Sequence, residues 1–240
     1  MNERRDRVPF DPYYFEKQAA QGKTFSLDET FSHIYQQNLW NGGDSPSGAG
    51  AHRSQTQLIE TELPELLKKL QVNVFLDIPC GDFSWMQSID LPVLSYIGAD
   101  IVTEIITENQ KRYEHKNQQF FKLNLVSESL PSADLLFCRD CFVHFSFVDI
   151  FSAFDNIQRS QITYLMTTTF PDCQSNEDII TGDWRLLNLE KPPFNFPHPL
   201  YLINEQCSEG DGLYRDKSLG LWKVKDIPRK SCINDIGECV

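Results

Sequence analysis

The stretch Phe75–Met86, Phe-Leu-Asp-Ile-Pro-Cys-Gly-Asp-Phe-Ser-Trp-Met, constrains this chain more than any other. A short apolar run (Val72, Val74, Phe75, Leu76) reaches an acid, Asp77, then a tight turn, Pro79-Cys80-Gly81-Asp82, and then a run of amphipathic character. This order predicts strand, ligand loop and helix, the opening of a nucleotide-binding α/β fold. Twenty-three positions beyond Asp77 a second apolar strand, Tyr96-Ile97-Gly98-Ala99, ends in Asp100. An acid at that strand tip is placed to bind ribose hydroxyls.

The charge of the loop bears on which nucleotide. A dinucleotide site brings a pyrophosphate against a Gly-rich turn and a helix N-terminus. Here a single glycine, Gly81, lies between Asp77 and Asp82, and the two carboxylates would repel a pyrophosphate. They suit a cationic ligand that carries an ammonium and a sulfonium, such as S-adenosylmethionine (SAM). Asp82 can equally N-cap the helix expected to follow, and the two readings are compatible.

Length and composition fit one α/β domain with decoration: 240 residues, 40% hydrophobic and 12% aromatic, enough for a sizeable core. The net charge of −12 is a poor match for phosphate backbones or anionic membranes, so no nucleic-acid partner is expected. No apolar run approaches the roughly 18 residues of a membrane span. The charged N-terminus lacks a secretory apolar segment, and seven cysteines without one suggest reduced thiols and a cytoplasmic location. Cys138 and Cys141 form a C-x-x-C pair. With no second pair and only His144 nearby, buried thiols are expected there rather than a metal or redox site. Cys232 and Cys239 fall in a polar tail.

Along the chain we expect a polar leader at 1–27, partly ordered by Phe10, Tyr13, Tyr14 and Phe15. A single domain follows at 28–225, with an N-terminal lid at 28–52, and then a polar tail at 226–240. Apolar spacing predicts a helix from Asp28 to Trp40. The Gly-rich run Asn41–Gly50 reads as a plain linker or as a lid whose backbone N–H groups approach a ligand. Residues 53–70 predict a helix that Pro64 should kink or restart. Helix follows Asp100, and strands are expected at 119–123, 134–138 and 163–170. Ser146 with Asp149 predicts a capping box opening the helix between the last two. Leu200–Ile203 and Leu219–Val224, joined by polar residues without helical pattern, predict an antiparallel pair at the sheet edge. The expected class is α/β, a Rossmann-like, mostly parallel sheet with helices on both faces.

That pattern resembles a class I SAM-dependent methyltransferase, whose seven-stranded sheet ends in an antiparallel hairpin. The likeness covers about residues 28–225 and rests on Asp77-to-Gly81, Asp100 and the polar Asn124 after the third strand. A narrower likeness is to a poorly characterised bacterial methyltransferase family often found among glycan and polysaccharide genes. It is carried by Trp40-Asn41-Gly42-Gly43 with Ser47-Gly48, by Leu76–Met86, by Tyr96–Val102, by Cys138–His144, by Thr181-Gly182-Asp183-Trp184-Arg185 and by Asp216–Trp222. The third glycine of the usual loop is absent, and Asn124 stands where an acid is common; its carbonyl oxygen can still accept from an adenine amino group. The resemblance implies SAM as cofactor, held by Ser47, Gly48, Asp77, Pro79, Cys80, Gly81, Asp82, Asp100, Ile101, Asn124, Leu125 and Arg139.

Methyl transfer needs alignment, exclusion of water and often removal of a proton. His144, just past the fourth strand, is the candidate general base, against a packed histidine beside Phe142 and Phe145. Asp140 can orient it, bind the SAM ammonium or act as base. Arg139 can pair with the SAM carboxylate or an acidic substrate, against an Arg139–Asp140 surface pair of little weight. Trp184, with Asp183 and Arg185 around it, is the candidate acceptor wall, while Phe194 and Phe196 read as core. The expected activity is O-methylation of a sugar or related hydroxylated small molecule. Alternatives are a protein or peptide side chain as acceptor, or a SAM-binding regulatory module without transfer activity.

Overall fold

A computed structural model describes residues 8–40 and 45–229. Residues 1–7, the Asn41-Gly42-Gly43-Asp44 run and 230–240, with Cys232 and Cys239, lie outside the described residues. Five strands pair in parallel: β1 (Val74–Asp77), β2 (Ser95–Asp100), β3 (Gln118–Lys122), β4 (Leu135–Cys138) and β5 (Tyr164–Thr169). Two more, β6 (Tyr201–Asn204) and β7 (Ser218–Lys223), are antiparallel, β7 inserting between β5 and β6. The order is β3-β2-β1-β4-β5-β7-β6, the expected sheet with its edge pair. The chain reverses its direction of travel across the sheet between β1 and β4. That reversal opens a crevice at the carboxyl ends of the strands, where ligands bind in such sheets.

Alternation along the strands sends side chains to two faces. Phe75, Phe137 and Met166 pack on one face with Leu63 and Leu67 of α3 (Arg53–Leu70). Leu76, Leu136 and Leu165 pack on the other with Ile150, Phe154 and Ile157 of α5 (Phe147–Arg159). Two short helices precede α3: α1 (Tyr14–Ala20) and α2 (Leu27–Gln37), the latter opened by a Ser26–Glu29 capping box. Between β2 and β3 runs α4 (Thr103–Tyr113).

Four local expectations are revised. No α-helix follows the β1 loop; Phe83 takes a left-handed conformation (φ 58°) that stops one from starting, and only a 3-10 turn, Met86–Ser88, forms. Asp82 therefore caps no helix. Its Oδ1 accepts from the Ser84 N–H at 3.2 Å, a local turn. Pro64 sits inside an uninterrupted α3. At α5, Ser146 accepts from the Asp149 N–H (3.2 Å), but its own N–H goes to the Thr181 hydroxyl instead of closing a box. The leader, from residue 8, is docked on the body: Phe15 is 2% exposed and belongs to the core that includes Leu76 and Phe142.

Candidate active site

The tips of β1, β2 and β4 open into a cleft of about 1060 Å³, mouth included, ample against the roughly 300–1,000 Å³ of small-molecule sites. Its floor is the β1 loop and its far walls are apolar: Leu27, Phe31 and Tyr35 from α2, then Ile101, Ile105, Leu123 and Leu125. Four acids line it, Asp77, Asp82, Asp100 and Asp140, against one base, Arg139. Gly81 needs its glycine, because it holds φ +55° and a Cβ there would strike the Ser47 hydroxyl. That hydroxyl accepts from the Asp82 N–H at 3.1 Å and ties residues 45–51 to the loop.

Asp100 is 5% exposed. Its Oδ1 accepts from the Val102 N–H (2.9 Å) and its Oδ2 from the Gly81 N–H (3.2 Å). Burial raises its pKa to about 6, the two amides working the other way. Asp77 accepts a 2.5 Å bond from the Tyr96 hydroxyl, and burial pushes its pKa up to about 7. Asp77 is thus held partly protonated at neutrality while Asp100 is mostly ionised.

The linkage gives a test. Folded Asp77 keeps a proton between its ordinary value of 3.8 and about 7 that the unfolded chain has shed. Its contribution to stability is therefore complete at low pH and is lost as pH rises through about 7. Asp77→Asn, which keeps an acceptor for Tyr96, is expected to lack this loss. Between pH 5 and 8 the parent should fall by about 2–3 kcal/mol relative to the variant in urea unfolding. Parallel curves would refute the assignment.

A second cleft adjoins the first and shares Trp40, Ser47 and Asp140 with it. Here lie His144, Trp184, Phe170, Tyr214 and Phe10, with Gly48 to Gly50, Glu209 and Lys217. The His144 ring lies against Trp40, centroids 4.8 Å apart, and its Nδ1 is 3.0 Å from the Asp183 carbonyl oxygen. A carbonyl only accepts, so Nδ1 carries the proton and Nε2 the lone pair. Burial lowers the imidazole pKa to about 4, so the ring is neutral near pH 7.

Asp140 divides the clefts. Its backbone is left-handed (φ 53°), held by an N–H donated to the Thr168 hydroxyl at 2.8 Å. Its carboxylate meets Lys217 Nζ at 2.6 Å and Arg139 Nη1 at 3.4 Å. Arg139 is a buried partner, not half of a surface pair: it grips Glu205 through Nε (3.1 Å) and Nη2 (2.7 Å), and Lys217 also reaches Glu205 at 3.5 Å. Burial alone would raise the Asp140 pKa; Lys217 and Arg139 outweigh it and hold the carboxyl well below the usual range. Lys217 and Arg139 are likewise kept charged, against burial, by the two carboxylates.

The predicted residues divide clearly. Asp77, Pro79, Cys80, Gly81, Asp82, Asp100, Ile101, Leu125, Arg139 and Ser47 line the first cleft; Gly48 lines the second. Asn124 lines neither: its Oδ1 accepts from the Val126 N–H and closes a turn, leaving Leu123 and Leu125 at the cleft wall. Trp184 lines the second cleft, but its neighbours turn away. Asp183 accepts from the Phe15 and Glu16 N–H groups (2.7 and 2.9 Å), anchoring the start of α1. Arg185 donates to the carbonyls of Phe142, Phe145 and Glu177. Phe194 and Phe196 are core, packed on α5 and Trp222. Sequence reasoning missed Glu205, Glu209, Tyr214 and the site role of Lys217. Cys138 and Cys141 are buried, and burial raises the Cys141 thiol well above its ordinary value. Among the described residues no cluster could hold a metal ion, and no helix is long and apolar enough to cross a membrane.

No protein-family profile matches the sequence, and no curated protein matches it. Solved structures do. The N-methyltransferase NodS from Bradyrhizobium japonicum WM9, in complex with S-adenosyl-L-homocysteine, aligns with TM-score 0.56 at 11% identity over 81% of this chain and 98% of its own. Human N-acetylserotonin methyltransferase, in complex with SAM, aligns with TM-score 0.55 at 10% identity over 88% of this chain and 65% of its own. The DhpI–S-adenosylhomocysteine complex gives 0.50 at 13% identity over 69% and 83%. The chain therefore has the fold of the class I SAM-dependent methyltransferases, a parallel Rossmann-like core closed by an antiparallel C-terminal pair.

Proposed function

We propose that this protein is a SAM-dependent methyltransferase, with SAM in the first cleft and the acceptor in the second, and that it O-methylates a sugar or related hydroxylated small molecule. One observation carries the reading: the two clefts meet at Asp140, so that a donor in one and an acceptor in the other approach each other there. The lining supports the cofactor. The acids outnumber the single arginine, as a cationic ligand requires, and the loop leads into no helix N-terminus that a pyrophosphate would need. The solved structures that share the fold include complexes with SAM and with S-adenosylhomocysteine.

SAM, when bound, supplies a sulfonium methyl: the acceptor oxygen forms the new C–O bond as the C–S bond breaks, leaving neutral S-adenosylhomocysteine. The chain's own groups do the rest. Asp100 offers its remaining lone pairs to ribose hydroxyls, and Asp77 and Asp82 favour the cationic amino-acid end. Asp140, fixed as an anion by Lys217 and Arg139, stabilises positive charge at the junction and is too weakly basic to take a proton. His144 Nε2 takes the hydroxyl proton. A low imidazole pKa serves here, because an oxygen gaining a methyl becomes strongly acidic and a weak base suffices.

The first test is cofactor binding. Asp100→Ala removes a charge-assisted interaction with the ribose worth about 1.5–3 kcal/mol, and should weaken SAM binding about 10- to 100-fold by calorimetry. Absence of heat from the parent protein, or unchanged affinity in the variant, would sink the cofactor assignment.

A further inference from the structure

We infer that the second cleft selects an uncharged sugar ring and turns away acceptors that carry phosphate or carboxylate; this rests on the methyl-transfer reading above and narrows it. Its walls are rings set edge to face. Trp184 and Tyr214 lie 5.1 Å apart, Phe170 is 6.4 Å from each, and Phe10 is 6.5 Å from Trp184. Such faces pack on the C–H faces of a sugar ring without needing charge. Polar groups gather at one end: the Asp140 carboxylate, the His144 imidazole and the Glu209 carboxylate, which accept or exchange hydroxyl hydrogen bonds.

The charges decide against anions. Lys217 is the one basic side chain lining this cleft among the described residues, and its ammonium is already held between Asp140 and Glu205. Glu209, by contrast, has no ion-pair partner within 4.0 Å among the described residues, accepts from the Cys207 thiol at 3.7 Å, and leaves the group of Arg139, Lys217, Asp140, Glu205 and Glu209 with one negative charge in excess. A neutral His144 adds no positive charge. A diphosphate entering as part of a nucleotide-linked sugar, or a uronate, would meet an uncompensated carboxylate and no free cation. Like-charge juxtaposition of this kind is a standard means of refusing a partner.

The test uses the full-length protein, methyl-labelled SAM, and a glycan and metabolite extract of the cells from which the protein comes, split on an anion exchanger. Label is expected in material from the unretained fraction, released by acid hydrolysis as a methylated neutral sugar. Trp184→Ala should then raise the acceptor KM about tenfold, by loss of ring stacking, with SAM affinity unchanged. Label only in the retained fraction would overturn the neutral-acceptor inference and leave methyl transfer standing. No label in either fraction, from protein that still binds SAM by calorimetry, would overturn methyl transfer itself and this inference with it. An unaltered KM in the Trp184 variant would remove the aromatic wall from the acceptor site.

Discussion

His144→Ala lowers kcat about 10²- to 10⁴-fold, the usual worth of a positioned proton acceptor, while SAM affinity stays at the parent value. The expectation follows from three features. The Nδ1–H is donated to a backbone carbonyl, which fixes the tautomer; Nε2 is left as the acceptor; and the ring lines the second cleft while standing clear of the first. A packing role alone would lower stability and not the chemical step, so the variant's thermal midpoint is read beside its kinetics. The pH profile separates the two further. With the imidazole at about 4, kcat at saturating SAM should be flat from about pH 6 upward and fall only on the acid side, as the ring takes its proton. A folded variant that turns over at the parent rate would end the base assignment.

Glu205→Ala destabilises the fold by about 3–5 kcal/mol, because it strands buried positive charge. In the parent, Arg139 and Lys217 face Glu205 and Asp140, two cations against two anions. The Glu205 side chain is 1% exposed and that of Arg139 7%, so water cannot replace the lost partner. The double variant Arg139→Met/Glu205→Leu removes one charge of each sign and leaves the Lys217–Asp140 pair neutral. Its stability should lie close to the parent's, since apolar replacement of a buried pair is often neutral. Urea unfolding of the single and double variants measures both numbers, and an equal loss in the two would refute the charge argument.

The lining of the first cleft was largely legible because its residues sit on local signals. Asp77 and Asp100 each end an apolar run, and a strand that ends in an acid delivers that acid to the carboxyl edge of a parallel sheet. The edge pair was legible from two apolar runs joined by about 15 polar residues with no helical pattern, where a parallel return would need a crossover helix. What escaped depends on partners distant in sequence. Asp183 and Arg185 flank a tryptophan in a pattern that a ligand site and a backbone-capping site share; only the docking of Phe15, 168 residues away, shows that the acid belongs to α1. Glu205 and Lys217 sit at the ends of the β6–β7 connection. Nothing local tells that they neutralise Arg139 and Asp140 just past the end of β4. The missing helix after Asp82 was hidden because the run that follows is amphipathic, whereas Phe83 turns left-handed and packs with Tyr96, Tyr113 and Phe120.

Asp183 acts at both ends of its own residue. Its carboxylate clasps the first amides of α1, and its carbonyl steadies the His144 imidazole. The N-terminal segment therefore braces the His144 ring, and it also lends Phe10 to the wall of the second cleft. Trimming the chain back to the predicted domain boundary, a common step in preparing a protein for crystallisation, would unclamp that carboxylate and loosen the ring's support. Such a shortened version would also lack Phe10 from the second cleft and Leu27 from the first, so the methyl-transfer reading is tested on the full-length chain.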